Sequence, residues 1–251
     1  MARAFDEGGC RVVMFWRTEF MMIQSKSRFL IAAPLCVALA ACGGEADTGA
    51  EGAAANMPGA NGSAGSSLTL ADNGPDLCFK AAAEKLGADA KVSKLSASFG
   101  VGENLEQYVV VSTPPGELKS CSVTYQDPED PRKLREMGMD VATGEFKESQ
   151  PVEISVFGDA ASFSLDDYLV PLSSINTSAI NDAVVAQQDK LGAAYSEHAL
   201  SRVTLDDPGP GRAKHIVSLS FAGRVKSNDV LDNSGLGLNL DGSEEYNNIG
   251  K

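Results

Sequence analysis

Between residues 76 and 246 the chain alternates polar and apolar positions with two distinct periods. Cys121, Val123 and Tyr125 alternate with Ser120, Ser122 and Thr124, and Met137, Met139 and Val141 with Gly138 and Asp140. The same period of two runs through Val152, Ile154 and Val156, through Val217, Leu219 and Phe221, and through Leu236, Leu238 and Leu240. Strict alternation predicts strands with a single buried face, as in antiparallel sheets packed on one side. Further strands are expected over 91–99, 107–112 and 200–205. Two stretches have the helical period instead. Leu77, Phe79, Ala82, Ala83 and Leu86 share a face, with Asp76 as the expected N-cap and Gly87 as the stop. Ile180, Val184, Gln187 and Leu191 do the same over 177–191, between Asn176 as cap and Gly192 as stop.

Lys85-Leu86-Gly87-Ala88 recurs as Lys190-Leu191-Gly192-Ala193, in both cases at a helix end. Each helix is followed by alternating strands, and each half closes near a polar turn, MDVATGEF and LNLDGSEE. The expected class is therefore α+β, with antiparallel sheets each covered by a helix. Two arrangements fit: two related helix-plus-meander units over 76–157 and 158–246 with a tail at 247–251, or one α+β domain in which the repeat is a coincidence.

Upstream of residue 76 both periods vanish. SKSRFLIAAPLCVALAACGG (25–44) has a basic start at Lys26 and Arg28, then an apolar run from Phe29 to Ala41. That run falls short of the roughly 20 residues that cross a bilayer core. It ends in Leu39-Ala40-Ala41-Cys42, which resembles the lipobox of bacterial lipoproteins. The resemblance implies a signal peptide over 21–41, cleavage before Cys42, and lipidation of its thiol with diacylglycerol and of the new N-terminus with a fatty acid such as palmitate. It also implies a place in the cell envelope, and Gly43 after the cysteine points to the outer membrane of a Gram-negative cell, facing the periplasm. Cys36, preceded by Pro34 and Leu35, does not fit such a site. Residues 1–20 carry Asp6, Glu7 and Glu19, unlike a basic n-region, so translation is expected to start at Met21 or Met22; an unusually long n-region is the alternative. Residues 42–75, rich in Gly, Ala, Ser and Asn without an aromatic side chain, read as a lipidated cysteine followed by a flexible linker.

Composition narrows the partners. The 251 residues carry a net charge of -13, which argues against nucleic acid and against adhesion to anionic lipid. Processing removes five of 21 basic and three of 34 acidic residues, leaving a net side-chain charge of -15, and it removes Trp16. Of the five cysteines, Cys78 and Cys121 then remain beside the lipidated Cys42. In an oxidising compartment they are expected to form a disulfide clipping helix to sheet; two buried free thiols, or a redox or metal role, are the alternatives.

The helix-and-sheet arrangement, with MDVATGEF as its most suggestive stretch, is similar to PepSY-like and cystatin-like modules over at most residues 77–147. Asp140, Thr143, Gly144 and Phe146 carry the resemblance. It implies a non-catalytic envelope module that binds a partner through its sheet or sheet edge, and it transfers no site residues.

Catalytic chemistry is hard to find in the sequence. His198 and His215 sit beside charged residues and read as surface histidines. The mature part has no GxSxG, SxxK, HExxH, Walker loop or complete GxGxxG, so no catalytic residue, cofactor or metal site is expected. The acidic groups Asp127/Glu129/Asp130, Asp166-Asp167, Asp206-Asp207 and Glu244-Glu245 lack calcium-loop spacing and read as solvated loops, with weak divalent-cation binding as the alternative. The basic run Asp130-Pro131-Arg132-Lys133-Leu134-Arg135 reads as a charged hairpin, with contact to a lipid headgroup or an acidic partner as the alternative. The expectation is a membrane-tethered binding or scaffolding module with an envelope protein partner. A hydrolase whose site leaves no motif, or a purely structural surface lipoprotein, are the alternatives.

Overall fold

The computed structural model describes residues 68–106, 113–156, 159–208 and 213–251, all within one compact unit. The signal segment, Cys42, the linker as far as residue 67 and the candidate strand at 107–112 lie outside the described residues. In chain order the elements are α1 (Leu70–Asn73), α2 (Leu77–Leu86), β1 (Lys91–Phe99), β2 (Leu118–Gln126), β3 (Leu134–Asp140), β4 (Glu145–Phe146) and β5 (Gln150–Val152). After three short 3-10 turns and β6 (Val170–Pro171) come α3 (Thr177–Ala186), α4 (Gln188–Ala194), β7 (Tyr195–Asp206), β8 (Ile216–Val225), β9 (Leu231–Leu238) and β10 (Glu244–Asn247). The fold is α+β.

The strands form one sheet, not several. Its order is β10-β9-β8-β7-β1-β2-β3-β4, with β5 added to β3 and β6 to β1, every pair antiparallel. The expectation of separate sheets fails because β1 and β7 pair with each other, Leu95–Ser98 against Arg202–Leu205. Each is thereby spared an edge of unpaired N–H and C=O groups. A boundary at 157/158 also separates β6 from its partner, since Val170 and Pro171 pair with Val92 and Lys91.

Register sorts the side chains into two unlike faces. Along one row, Leu238, Val217, Leu205, Leu95, Val123 and Met137 stand on successive strands. Along the next stand Leu236, Leu219, Val203, Ala97 and Cys121. These residues are buried in one apolar cluster that also contains Leu77, Phe79 and Ala82 of α2, Ile180 of α3 and Leu191 of α4. Burial of each such Leu, Val or Phe contributes about 1.5–3 kcal/mol, which is what holds helices to sheet. Cys78 and Cys121 are joined by a disulfide across 43 residues, contributing roughly 4 kcal/mol in the chain-entropy model.

Element boundaries refine the sequence reading. Gly87, at φ 92°, ends α2 as expected. Asp76 does not cap it, because its carboxylate makes no bond to the first-turn amides and instead pairs with Lys80 at 3.0 Å. Asn176 does cap α3, accepting from the Ala179 amide. The expected single helix over 177–191 is broken at Gln187 and runs through Gly192 to Ala194. The packed chain also begins before Asp76 and continues to the end. Leu68 and Leu70 pack on the core, Thr69 bridges to Glu117, and Ile249, in the expected tail, is fully buried. No helix of the described residues is long and apolar enough to cross a membrane.

Candidate functional site

The opposite face of the sheet is made of small polar residues. Across seven strands one row reads Tyr246, Gly237, Ser218, Thr204, Ser96, Ser122 and Gly138. The next reads Gly235, Ser220, Arg202, Ser98 and Ser120. Among the described residues, apolar cover on this face is confined to two small clusters, one at each end of the strands. Val101, Leu105 and Ala222 form the first, and Leu134, Leu165 and Leu169 the second. Between them lies a floor of hydroxyls. Ser120 and Arg202 are exposed, Ser96, Ser98, Ser122 and Ser220 half-buried, and Thr204 and Ser218 buried. Ser98 and Ser120 share a 2.6 Å hydrogen bond.

An aromatic ring marks one border of this floor. Tyr246 lies across Gly237: a Cβ there would meet three of its ring carbons at 2.2–3.0 Å. The glycine is therefore what lets the ring settle on the strand. Its hydroxyl donates to Ser218 Oγ at 3.5 Å, and Ser218 donates in turn to Asp206 Oδ2 at 2.6 Å. The ring stays 41% exposed.

At the end of the floor nearest Val101 lies a cleft of about 340 Å3. Its polar lining is Ser98, Lys119, Ser201, Arg202, Asn233 and Glu106; Val101, Leu105 and Ala222 form the apolar wall. A break in the β7–β8 register between Leu200 and Arg202 shapes it. Such a bulge re-aims side chains, and here Ser201 and Arg202, neighbours in sequence, both line the cleft. Lys119 is held by Glu106 at 2.7 Å. A second cleft of about 380 Å3, beside Leu86, Ala90, Tyr125, Pro128 and Pro131, lies near the C-terminal end of α2.

The two histidines part company with expectation. His198 is half-buried within β7, its Nε2 3.4 Å from Gln188 Oε1. His215 is not a surface residue: it is 6% exposed, with Nε2 3.1 Å from the Tyr168 carbonyl oxygen. The fold gathers titratable groups around it. Burial pushes the Asp207 carboxyl up, Lys94 and His215 draw it back, and Asp206 adds to the rise. Burial likewise raises the Tyr168 hydroxyl, with Asp167 and Asp207 adding to it. The Ser218 proton goes to Asp206, and His215 Nε2 faces a carbonyl instead of a serine oxygen.

Several of the remaining charged groups pair among themselves. Arg132 and Lys133 close on Asp130, and the hydrogen bonds from Arg132 hold that carboxyl well below the usual carboxylate range. Two cations thus share one carboxylate within the turn, which lowers the charge of the basic run without cancelling it. Arg135 pairs with Asp127 at 3.6 Å, Lys91 with Asp166 and Lys214 with Glu245. The described residues contain no cluster of three His, Cys, Asp or Glu able to hold a metal ion. Cys42 lies outside the described residues. The hydroxyl rows and the cleft went unread in the sequence because they depend on which strands lie side by side. The alternation Ser120, Ser122, Thr124 was the available signal. No family model matches the chain, and neither a curated protein nor a solved structure does.

Proposed function

We propose that the chain is a lipid-anchored cell-envelope lipoprotein, held through acylated Cys42 at the periplasmic side of an outer membrane. Its folded part is a non-catalytic binding or scaffolding module for an envelope protein partner. The observation that carries this reading is the hydroxyl face: two registered rows, one over seven strands and one over five, made of Ser, Thr and Gly apart from Tyr246 and Arg202, with apolar cover among the described residues confined to the two ends. Side chains this small lose little rotamer freedom when a partner settles on them. The lipobox Leu39-Ala40-Ala41-Cys42 supports the anchor. A hydrolase finds less support, since Ser218 donates to Asp206 and His215 Nε2 lies against the Tyr168 carbonyl oxygen.

We also read the folded part as two related helix-plus-meander units. A helix followed by a four-strand meander occurs twice, as α2 with β1 to β4 and as α3–α4 with β7 to β10, and the leading strands β1 and β7 pair. Each unit closes on a turn with an aspartate and a positive-φ glycine, Asp140 with Gly144 and Asp241 with Gly242. The repeated Lys-Leu-Gly-Ala at 85–88 and 190–193 fits the same scheme.

The test is crosslinking in intact cells, then affinity purification from membranes and mass spectrometry. A specific protein should be enriched over a Cys42→Ser control that stays unanchored. Equal recovery from both samples contradicts the scaffold reading. Labelling with a palmitate analogue tests the anchor separately, and an unlabelled wild-type chain removes it.

A further inference from the structure

The cleft beside Val101 holds a cation with no counter-ion among the described residues. Of the arginines among the described residues, Arg132 is bound by Asp130, Arg135 by Asp127 and Ser149, and Arg224 by Asp229 and the Asn104 carbonyl. Arg202 has no such partner among the described residues. Its cross-strand neighbours are the hydroxyls of Ser98 and Ser220. In a chain with 34 acidic residues against 21 basic ones, a guanidinium facing neutral hydroxyls is the exception. Lys119 and Glu106 cancel one another at 2.7 Å, so these lining groups leave the cleft with the charge of one guanidinium.

We propose that this cleft binds a carboxylated sugar, its carboxylate on Arg202 and its hydroxyls on Ser98, Ser201 and Asn233. The planar guanidinium takes a carboxylate through two parallel N–H···O bonds. Ser201 donates to the Ser220 carbonyl oxygen and so presents its own oxygen as an acceptor. The Asn233 side chain is exposed and supplies both a donor and an acceptor. Val101, Leu105 and Ala222 close the apolar side of the cleft. They are only 7%, 3% and 4% exposed, too little open surface for an alkyl chain. A single unpaired guanidinium suits one carboxylate better than a multiply charged phosphate. At about 340 Å3 the cleft sits near the lower end of the roughly 300–1,000 Å3 usual for small-molecule sites. This inference goes beyond the partner-binding reading and depends on neither the anchor nor the protein partner.

The experiment is ligand-observed saturation-transfer NMR on the detergent-solubilised full chain, with glucuronate as probe and glucose and acetate as controls. Wild-type protein should saturate glucuronate more strongly than either control. Arg202→Gln should weaken glucuronate binding at least about tenfold, the loss expected when a charge-assisted pair disappears. Arg202→Lys should recover part of it. Asn233→Ala should weaken glucuronate without creating a preference for acetate. Because Arg202 is exposed and unpaired, Arg202→Gln should melt with wild type, and thermal denaturation checks this. Absent glucuronate binding, undiminished binding by Arg202→Gln, or acetate or glucose performing as well as glucuronate would each overturn the proposal.

Discussion

The two faces of the sheet are built from the same strands, one residue out of step, and they obey different rules. On the core face Leu219 stands between Val203 and Leu236; one residue earlier, on the hydroxyl face, Ser218 stands between Thr204 and Gly237. Each face even carries the same device, a tyrosine ring laid over a cross-strand glycine. On the core face Tyr195 lies on Gly223, is 2% exposed, and its hydroxyl donates to Asp232 at 2.7 Å. On the hydroxyl face Tyr246 lies on Gly237 and is 41% exposed. The difference is one of side-chain size: large apolar residues fill the core face, and small polar ones line the other, where Ser120 and Arg202 are exposed while Thr204 and Ser218 are buried.

Substitutions should divide along the same line. Phe221→Ala, emptying a site that is 1% exposed, is expected to cost about 3–5 kcal/mol in chemical denaturation. Replacing Cys78 and Cys121 together by Ala should cost a similar amount, roughly 4 kcal/mol. A protein indifferent to loss of that bridge would show that packing alone fixes α2. Gly223→Ala and Gly237→Ala form the sharpest pair. A Cβ at 223 would meet Tyr195 ring atoms at 2.6 and 2.7 Å, and that ring is walled in, so about 1–3 kcal/mol is expected. At 237 the exposed ring can swing away and the cost should be smaller; equal costs would mean that the hydroxyl face is packed as rigidly as the core.

The smaller effects probe the polar face directly. Burial raises the Asp207 carboxyl above its unfolded value, so its ionisation costs stability as pH rises through the folded pKa. Asp207→Asn should therefore melt higher than wild type at pH 7, with the gain disappearing below about pH 4, where the carboxyl is protonated in both states. A gain that persists at low pH would point to some other cause. Ser122→Ala, on the open floor, should stay within about 0.5 kcal/mol of wild type.

Much of this contrast can be read from the chain. Alternation at Cys121–Tyr125 and Val217–Phe221 located strands and their buried faces, because a period of two is imposed by the strand itself. The caps and stops were read less well. Asp76 turned to Lys80 instead of the helix amides, and Gly192 did not end a helix whose following turn still packs Leu191 and Ala194 on the core. Lateral order was out of reach. Nothing local tells β1 to pair with β7, yet that pairing merges the sheets and aligns Ser96 with Thr204 and Ser98 with Arg202. The burial of His215 and the isolation of Arg202 follow from the same long-range choice. The Cys78–Cys121 bridge was legible because the expected export leaves those two thiols few alternatives.

The central claim, that recognition belongs to the hydroxyl face, is tested most directly by photo-crosslinking in cells. A photoreactive amino acid placed at Ser122, on the floor, is compared with one at Val185, which is 72% exposed on α3. The account predicts a discrete adduct to one envelope protein from position 122 and none from 185. An adduct from 185 alone would contradict it.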